Sequence, residues 1–97
     1  MTVIRMIKTI TRVPTFKRQY KRLNKKHYDM QLLQTAITAL VEQNTDLLRT
    51  KYNDHHLAGM QGLRELHILS DWLLVYSIDE SSLQLYLLAT GSHDEVL

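Results

Sequence analysis

The side chains of this chain best suited to chemistry are His55, His56, His67 and His93, with Asp71 and its neighbour Trp72. Imidazole gives and takes protons near neutral pH, so histidines converging with a carboxylate suit general acid–base catalysis. Each also has a plainer use: a lone histidine is most often a surface or capping residue, Asp71 a turn residue and Trp72 a buried one. A metal site made of His55, His56 and His67 is disfavoured at this level, because adjacent histidines rarely face one ion. No metal or cofactor is therefore expected. The chain has no cysteine, so neither disulfides nor thiolate metal sites arise, and a reducing cytoplasm suits it.

These residues need elements to hold them. Val3 to Thr11 is rich in β-branched residues and reads as a strand. Pro14 ends it and suits a helix entry, with Thr15 as a plausible N-cap. Phe16, Tyr20 and Leu23 then fall on one face of a helix reaching about Lys26. Asp29 caps a second helix, whose Met30, Leu33, Ile37, Leu40 and Val41 form an apolar stripe to about Gln43. The short linker between the two predicts a helical hairpin. Thr45 to Met60 reads as irregular. Three strands follow over Leu63–Leu69, Trp72–Ile78 and Leu83–Leu88, separated by turns at Ser70-Asp71 and Asp79–Ser82, with Gly91 breaking the last. The order β-α-α-β-β-β describes an α+β domain over residues 1–97, an antiparallel sheet with the helices on one face.

The 97 residues suffice for one modest core. No apolar run approaches the roughly 18–20 residues that span a bilayer, and no signal-peptide pattern follows the basic N-terminus. A cytoplasmic protein with no membrane contact is the expectation. The formal charge of +2 hides an asymmetry: Met1 to Tyr28 holds nine Lys or Arg and no acid, and the remainder three basic residues against ten acidic ones. Such a split fits one face meeting a polyanion or an acidic partner, or simply a solvated basic helix.

The segments Tyr52-Asn53-Asp54-His55-His56-Leu57, Arg64-Glu65-Leu66-His67, Ser70-Asp71-Trp72-Leu73-Leu74-Val75-Tyr76 and Thr90-Gly91-Ser92-His93, with the Lys-rich helix leading into His27-Tyr28-Asp29-Met30, together resemble the YafQ branch of the RelE-like toxins. Four motifs in order and spacing are far more specific than any one of them. The resemblance implies a toxin that enters the 30S A site of the ribosome and cuts mRNA without a metal, by attack of a 2′-hydroxyl on the adjacent phosphate. It implies an antitoxin partner of the RelB/DinJ kind, with operator DNA bound only through the toxin–antitoxin complex. Carried onto this chain, it makes His55, His67, Asp71 and His93 the acid–base set. His93 is then the general acid, and His67 or Asp71 the base. Trp72 offers a surface for an unstacked nucleobase. Lys17, Arg18, Lys21, Arg22, Lys25 and Lys26 would meet ribosomal RNA.

Two positions depart from the family pattern. Ala89 stands where YafQ-like toxins carry an arginine before Thr-Gly-x-His, and loss of one such donor typically costs about 10²–10³-fold in rate. Leu97 replaces an aromatic residue near the terminus. Three readings of Ala89 follow: an engineered change that disarms the toxin, a naturally attenuated homologue, or compensation by Arg64 from a neighbouring strand. The first is favoured because the acid–base set is intact. Two other functions compete: a RelE-fold inhibitor that acts by occupancy, as on gyrase, and an antitoxin-dependent co-repressor without nuclease activity. The free chain is expected to be monomeric.

Overall fold

The computed structural model describes residues 5–96, so Val3, Ile4 and Leu97 lie outside the described residues. The first strand, β1, spans Thr9–Arg12, later than the expected Val3–Thr11. Pro14 opens α1 (Pro14–Lys25) at its first position, where a missing N–H costs nothing. The N-cap is Val13, which leaves Thr15 inside the helix and corrects its expected capping role. Phe16 and Leu23 are buried, and Tyr20 packs against the same core. Residues 26–29 turn the chain, with His27 at φ 64°. The Asp29 carboxylate then accepts from Gln31 N to cap α2 (Met30–Val41).

The expected irregular stretch contains a short helix, α3 (Thr45–Thr50), capped by the Asn44 side chain through Leu47 N. It also contains a two-residue strand, β2 (His55–His56). The remaining strands are β3 (Arg64–Leu69), β4 (Trp72–Asp79) and β5 (Gln84–Gly91), the last running beyond the expected Leu88 and ending at Gly91. After β5 the chain forms one helical turn, α4 (His93–Val96).

The five strands make one sheet in the order β1-β5-β4-β3-β2. The pairs β3–β4 and β4–β5 are antiparallel, as expected, β2 joins β3 antiparallel, and β1 adds to the far edge parallel to β5. One sheet face carries Leu66, Trp72, Leu74, Tyr76, Leu85 and Leu87, which share a single core with Phe16 and Leu23 of α1 and Leu33, Ala36, Ile37 and Leu40 of α2. With that face sealed by helices, the chemistry lies on the other face and at one end of the strands.

Candidate active site

Antiparallel partners share a face, so register alone assembles the site. His55 pairs with Glu65, Glu65 with Val75, and Val75 with Ala89, a row crossing four strands on the helix-free face. In the next row His67 pairs with Leu73 and Leu73 with Gly91. Asp71, in the β3–β4 turn, and His93, at the exit of β5, lie one step further along. The row depends on a bulge. Leu85 and Leu87 point into the core, and strict alternation would send residue 89 there too. Between the pairs Val75–Ala89 and Tyr76–Leu87 the register shifts by one residue on β5, returning Ala89 to the open face.

Glu65 is the residue that the motifs do not single out. It is 3% exposed, and its Oε1 lies 3.0 Å from His55 Nε2 and 3.6 Å from His67 Nε2. The two imidazole centroids are 5.9 Å apart. His55 Nδ1 is 2.7 Å from the Asn53 carbonyl, which can only accept, so Nδ1 carries a proton. The contact between His55 Nε2 and Glu65 then needs a second proton between two acceptors. Glu65 Oε2 is buried with no partner. His55, Glu65 and His67 therefore form a proton-holding cluster with one unused oxygen. Their ligand atoms lie within 4.8 Å of one another, the one such cluster among the described residues suited to a metal ion. A signal for it does exist in the sequence: Glu65 is two residues before His67, so both point the same way from a strand.

Asp71 and His93 are brought together by a backbone bond, His93 N–H donating to Asp71 Oδ1 at 3.2 Å. Both side chains are exposed. Asp71 thus anchors the turn that presents the His93 imidazole.

Two expected contributors are not at this face. Arg64 pairs with Tyr76 on the helix side, and its guanidinium is engaged by Asp54, Nη2 to Oδ2 at 2.9 Å and Nε to Oδ1 at 3.3 Å. Its Nη1 also meets His56 Nε2 at 2.8 Å. Arg64 is therefore engaged on the helix side and does not reach the face that carries Ala89. The same Asp54 carboxylate accepts from the Tyr76 hydroxyl. It raises the Arg64 pKa, chiefly through their hydrogen bond, while burial followed by Asp54 raises that of Tyr76. Trp72 is 2% exposed, with Nε1 donating to Thr90 Oγ1 at 3.0 Å and Tyr28 packed edge-on at 5.0 Å. It is a core residue, not a base-stacking platform.

The Asp54–Arg64–Tyr76 network fixes the segment that delivers His55. Asp54→Ala leaves the Tyr76 phenol unpartnered and the partly buried Arg64 guanidinium with His56 alone. A loss of about 1–3 kcal/mol is expected, about 4–8 °C in Tm per kcal/mol for a domain of this size, read by thermal unfolding.

On α1 and at its C-cap, Lys17, Arg18, Lys21, Arg22, Lys25 and Lys26 are all exposed, and Arg22 meets Glu95 of α4 at 3.2 Å.

A five-stranded sheet backed by helices on one face, with histidines and a buried carboxylate on the other, has the fold of solved bacterial toxins. Residues 8–97 match the family described as the bacterial toxin of type II toxin–antitoxin systems, YafQ. The mRNA interferase toxin YafQ of Escherichia coli K12 is 34% identical over 79 residues, covering 80% of this chain and 83% of the relative. In the crystal structure of the E. coli DinJ–YafQ toxin–antitoxin complex, a similar chain superposes with a TM-score of 0.82 at 30% identity, covering 95% of this chain and 99% of that one. A metal-bound toxin from Helicobacter pylori is 36% identical with a TM-score of 0.81, covering 92% and 98% of the two chains. The chain belongs to the YafQ family of type II toxins.

Proposed function

We propose that this chain is the toxin of a toxin–antitoxin pair and an endoribonuclease acting on mRNA in the ribosomal A site, with its activity lowered by Ala89. The observation that carries the reading is the Glu65-linked pair His55–His67 on the helix-free face, one step from the Asp71-anchored His93, in a chain whose E. coli relatives are mRNA interferases. Four proton-transfer groups on one side of the sheet favour chemistry over occupancy. No gyrase binding is expected.

In this mechanism His67 takes the proton from the 2′-hydroxyl, whose oxygen attacks the adjacent phosphorus. The bond from phosphorus to the 5′-oxygen breaks, His93 protonates that oxygen, and a 2′,3′-cyclic phosphate remains. Asp71 is less suited to be the base, because one of its oxygens already accepts the His93 N–H. Glu65 and His55 hold His67 and keep a proton in reserve. The exposed basic residues of α1 grip ribosomal RNA, and binding weakens as salt rises. An antitoxin like DinJ, the partner crystallised with E. coli YafQ, masks the toxin in the cytoplasm, where ribosomes are. Co-expression with an antitoxin encoded beside it tests this arm; a complex stable through gel filtration is the expected result, and two separate peaks count against it.

The His55–Glu65–His67 cluster also fits a divalent ion of the zinc class, since a buried carboxylate with a free oxygen and two imidazole nitrogens is a suitable donor set. Such an ion occupies the lone pairs that proton transfer requires, so it is an inhibitor here. Zinc at about 100 times its Kd is expected to stabilise the fold by about 2.7 kcal/mol and to suppress cleavage. Glu65→Gln is expected to weaken both effects. A thermal shift as large in the Glu65→Gln form as in the parent would show that zinc binds elsewhere.

A further inference from the structure

Gln19 is a buried polar side chain on the core-facing side of α1, 8% exposed. Its position explains how the end of β5 is held. The edge strand β1 pairs with β5 only from Gln84 to Leu87. Beyond Leu87 no strand among the described residues lies along the outer edge of β5, yet Thr90 is 1% exposed, so its N–H needs a partner inside the protein. Gln19 Oε1 accepts that N–H at 2.8 Å. Its Nε2 reaches the Glu95 carbonyl of α4 at 3.5 Å. One amide therefore spans both ends of the turn Thr90–Glu95, and His93 lies between its two attachment points.

The rest of the turn is tied down by shorter links. Thr90 Oγ1 donates to the Leu73 carbonyl at 2.9 Å. Glu95 Oε1 accepts from Ser92 N at 3.0 Å, and this bond is the first cause of the lowered Glu95 pKa. Gly91 has φ 149°, a conformation that strains any residue with a side chain, and a Cβ there would also press on the Glu95 side chain, 3.0 Å from Oε1. None of these links reaches α1. Gln19, with the more exposed Arg22–Glu95 pair one turn later, supplies that connection.

We infer that Gln19 is a positioning residue of the His93 turn, an α1 side chain standing in for the strand that β5 lacks and acting beside the Asp71 anchor on His93 N. The inference rests on the nuclease reading only for its effect on rate. Gln19 does not touch substrate; it fixes where the imidazole of His93 stands, and it joins the basic helix to the turn that carries the acid. Only an amide makes both bonds. Leucine offers neither, and glutamate keeps the acceptor for Thr90 while losing the donor to Glu95.

The test places Gln19→Leu and Gln19→Glu in the Ala89→Arg form and compares kcat, KM and Tm. Amide exchange of Thr90 and the linewidths of the His93 ring are followed by NMR in both the Ala89 and the Arg-bearing backgrounds. Gln19→Leu is expected to lower kcat about tenfold with KM unchanged, to speed Thr90 exchange about tenfold and to broaden the His93 ring signals. Gln19→Glu is expected to recover the Thr90 protection. Unchanged Thr90 exchange and an unchanged His93 ring in Gln19→Leu overturn the inference. So does a fall in rate no larger than that of an equally destabilised Leu33→Val core variant. If the Ala89→Arg form cuts no RNA at all, the nuclease reading fails on its own, and the two NMR readouts still decide the role of Gln19.

Discussion

Ala89→Arg is expected to raise cleavage of ribosome-bound mRNA by about 10²–10³-fold over the chain with alanine. Ala89 stands in the row His55–Glu65–Val75–Ala89, two strand spacings or roughly 10 Å from Glu65 across the sheet. An arginine there would share the sheet face of Val75, Glu65 and His55, away from the core helices. Its fork of donors matches a phosphate bidentately and is always charged, so it stabilises the charge that builds on phosphorus during attack. No other described side chain takes this place: Arg64, the nearest candidate by sequence, points to the helix side and is neutralised by Asp54. Rates from single-turnover cleavage on programmed ribosomes give the comparison, and the Ala89→Lys form is expected to recover only part of the gain.

Loss of His93 is expected to be as severe. In the Ala89→Arg form, His93→Ala removes the proton donor to the 5′-oxygen, a contribution of about 10²–10⁴-fold. The imidazole is exposed and its anchoring bond to Asp71 runs through the backbone, so the fold is expected to change by no more than about 0.5 kcal/mol. A large rate loss at unchanged Tm is therefore the signature. The pH–rate profile adds a second check. A general acid must carry its proton, so activity falls on the alkaline side as that proton is lost, and this limb is expected to disappear in His93→Ala. His67→Ala is expected to remove the acidic limb instead. A change that lowered Tm and rate together would point to structural damage rather than lost proton transfer.

What is legible in the sequence follows local pattern. The apolar run from Trp72 and the stripe through Leu33, Ile37 and Leu40 mark β4 and α2 nearly to the residue, because α2 buries one face and β4 buries Trp72 to Tyr76 on both. The motifs name His55, His67, Asp71 and His93, and the structure places all four on or at the end of one face. What is not legible depends on distant partners. β1 pairs with β5 across most of the chain, so its parallel register has no local sign. The bulge on β5 inverts the facing of Ala89 against simple alternation. Glu65 has the look of a solvated strand residue and is buried between two histidines. Gln19 lies in a basic helix, and only the unpaired edge of β5 shows why it faces inward. Trp72 is open to two readings, and its bond to Thr90 decides for the core.

The central claim is that this face cuts RNA by 2′-hydroxyl attack. It is tested most directly by giving the Ala89→Arg form an mRNA set in the ribosomal A site, and the same mRNA with a single 2′-deoxynucleotide 5′ to the cut. The expected result is one cut in the A-site codon of the first, ending in a 2′,3′-cyclic phosphate, in the presence of a chelator, and no cut in the second. Intact mRNA across a range of codons, or equal cutting of the deoxy-substituted strand, would contradict it.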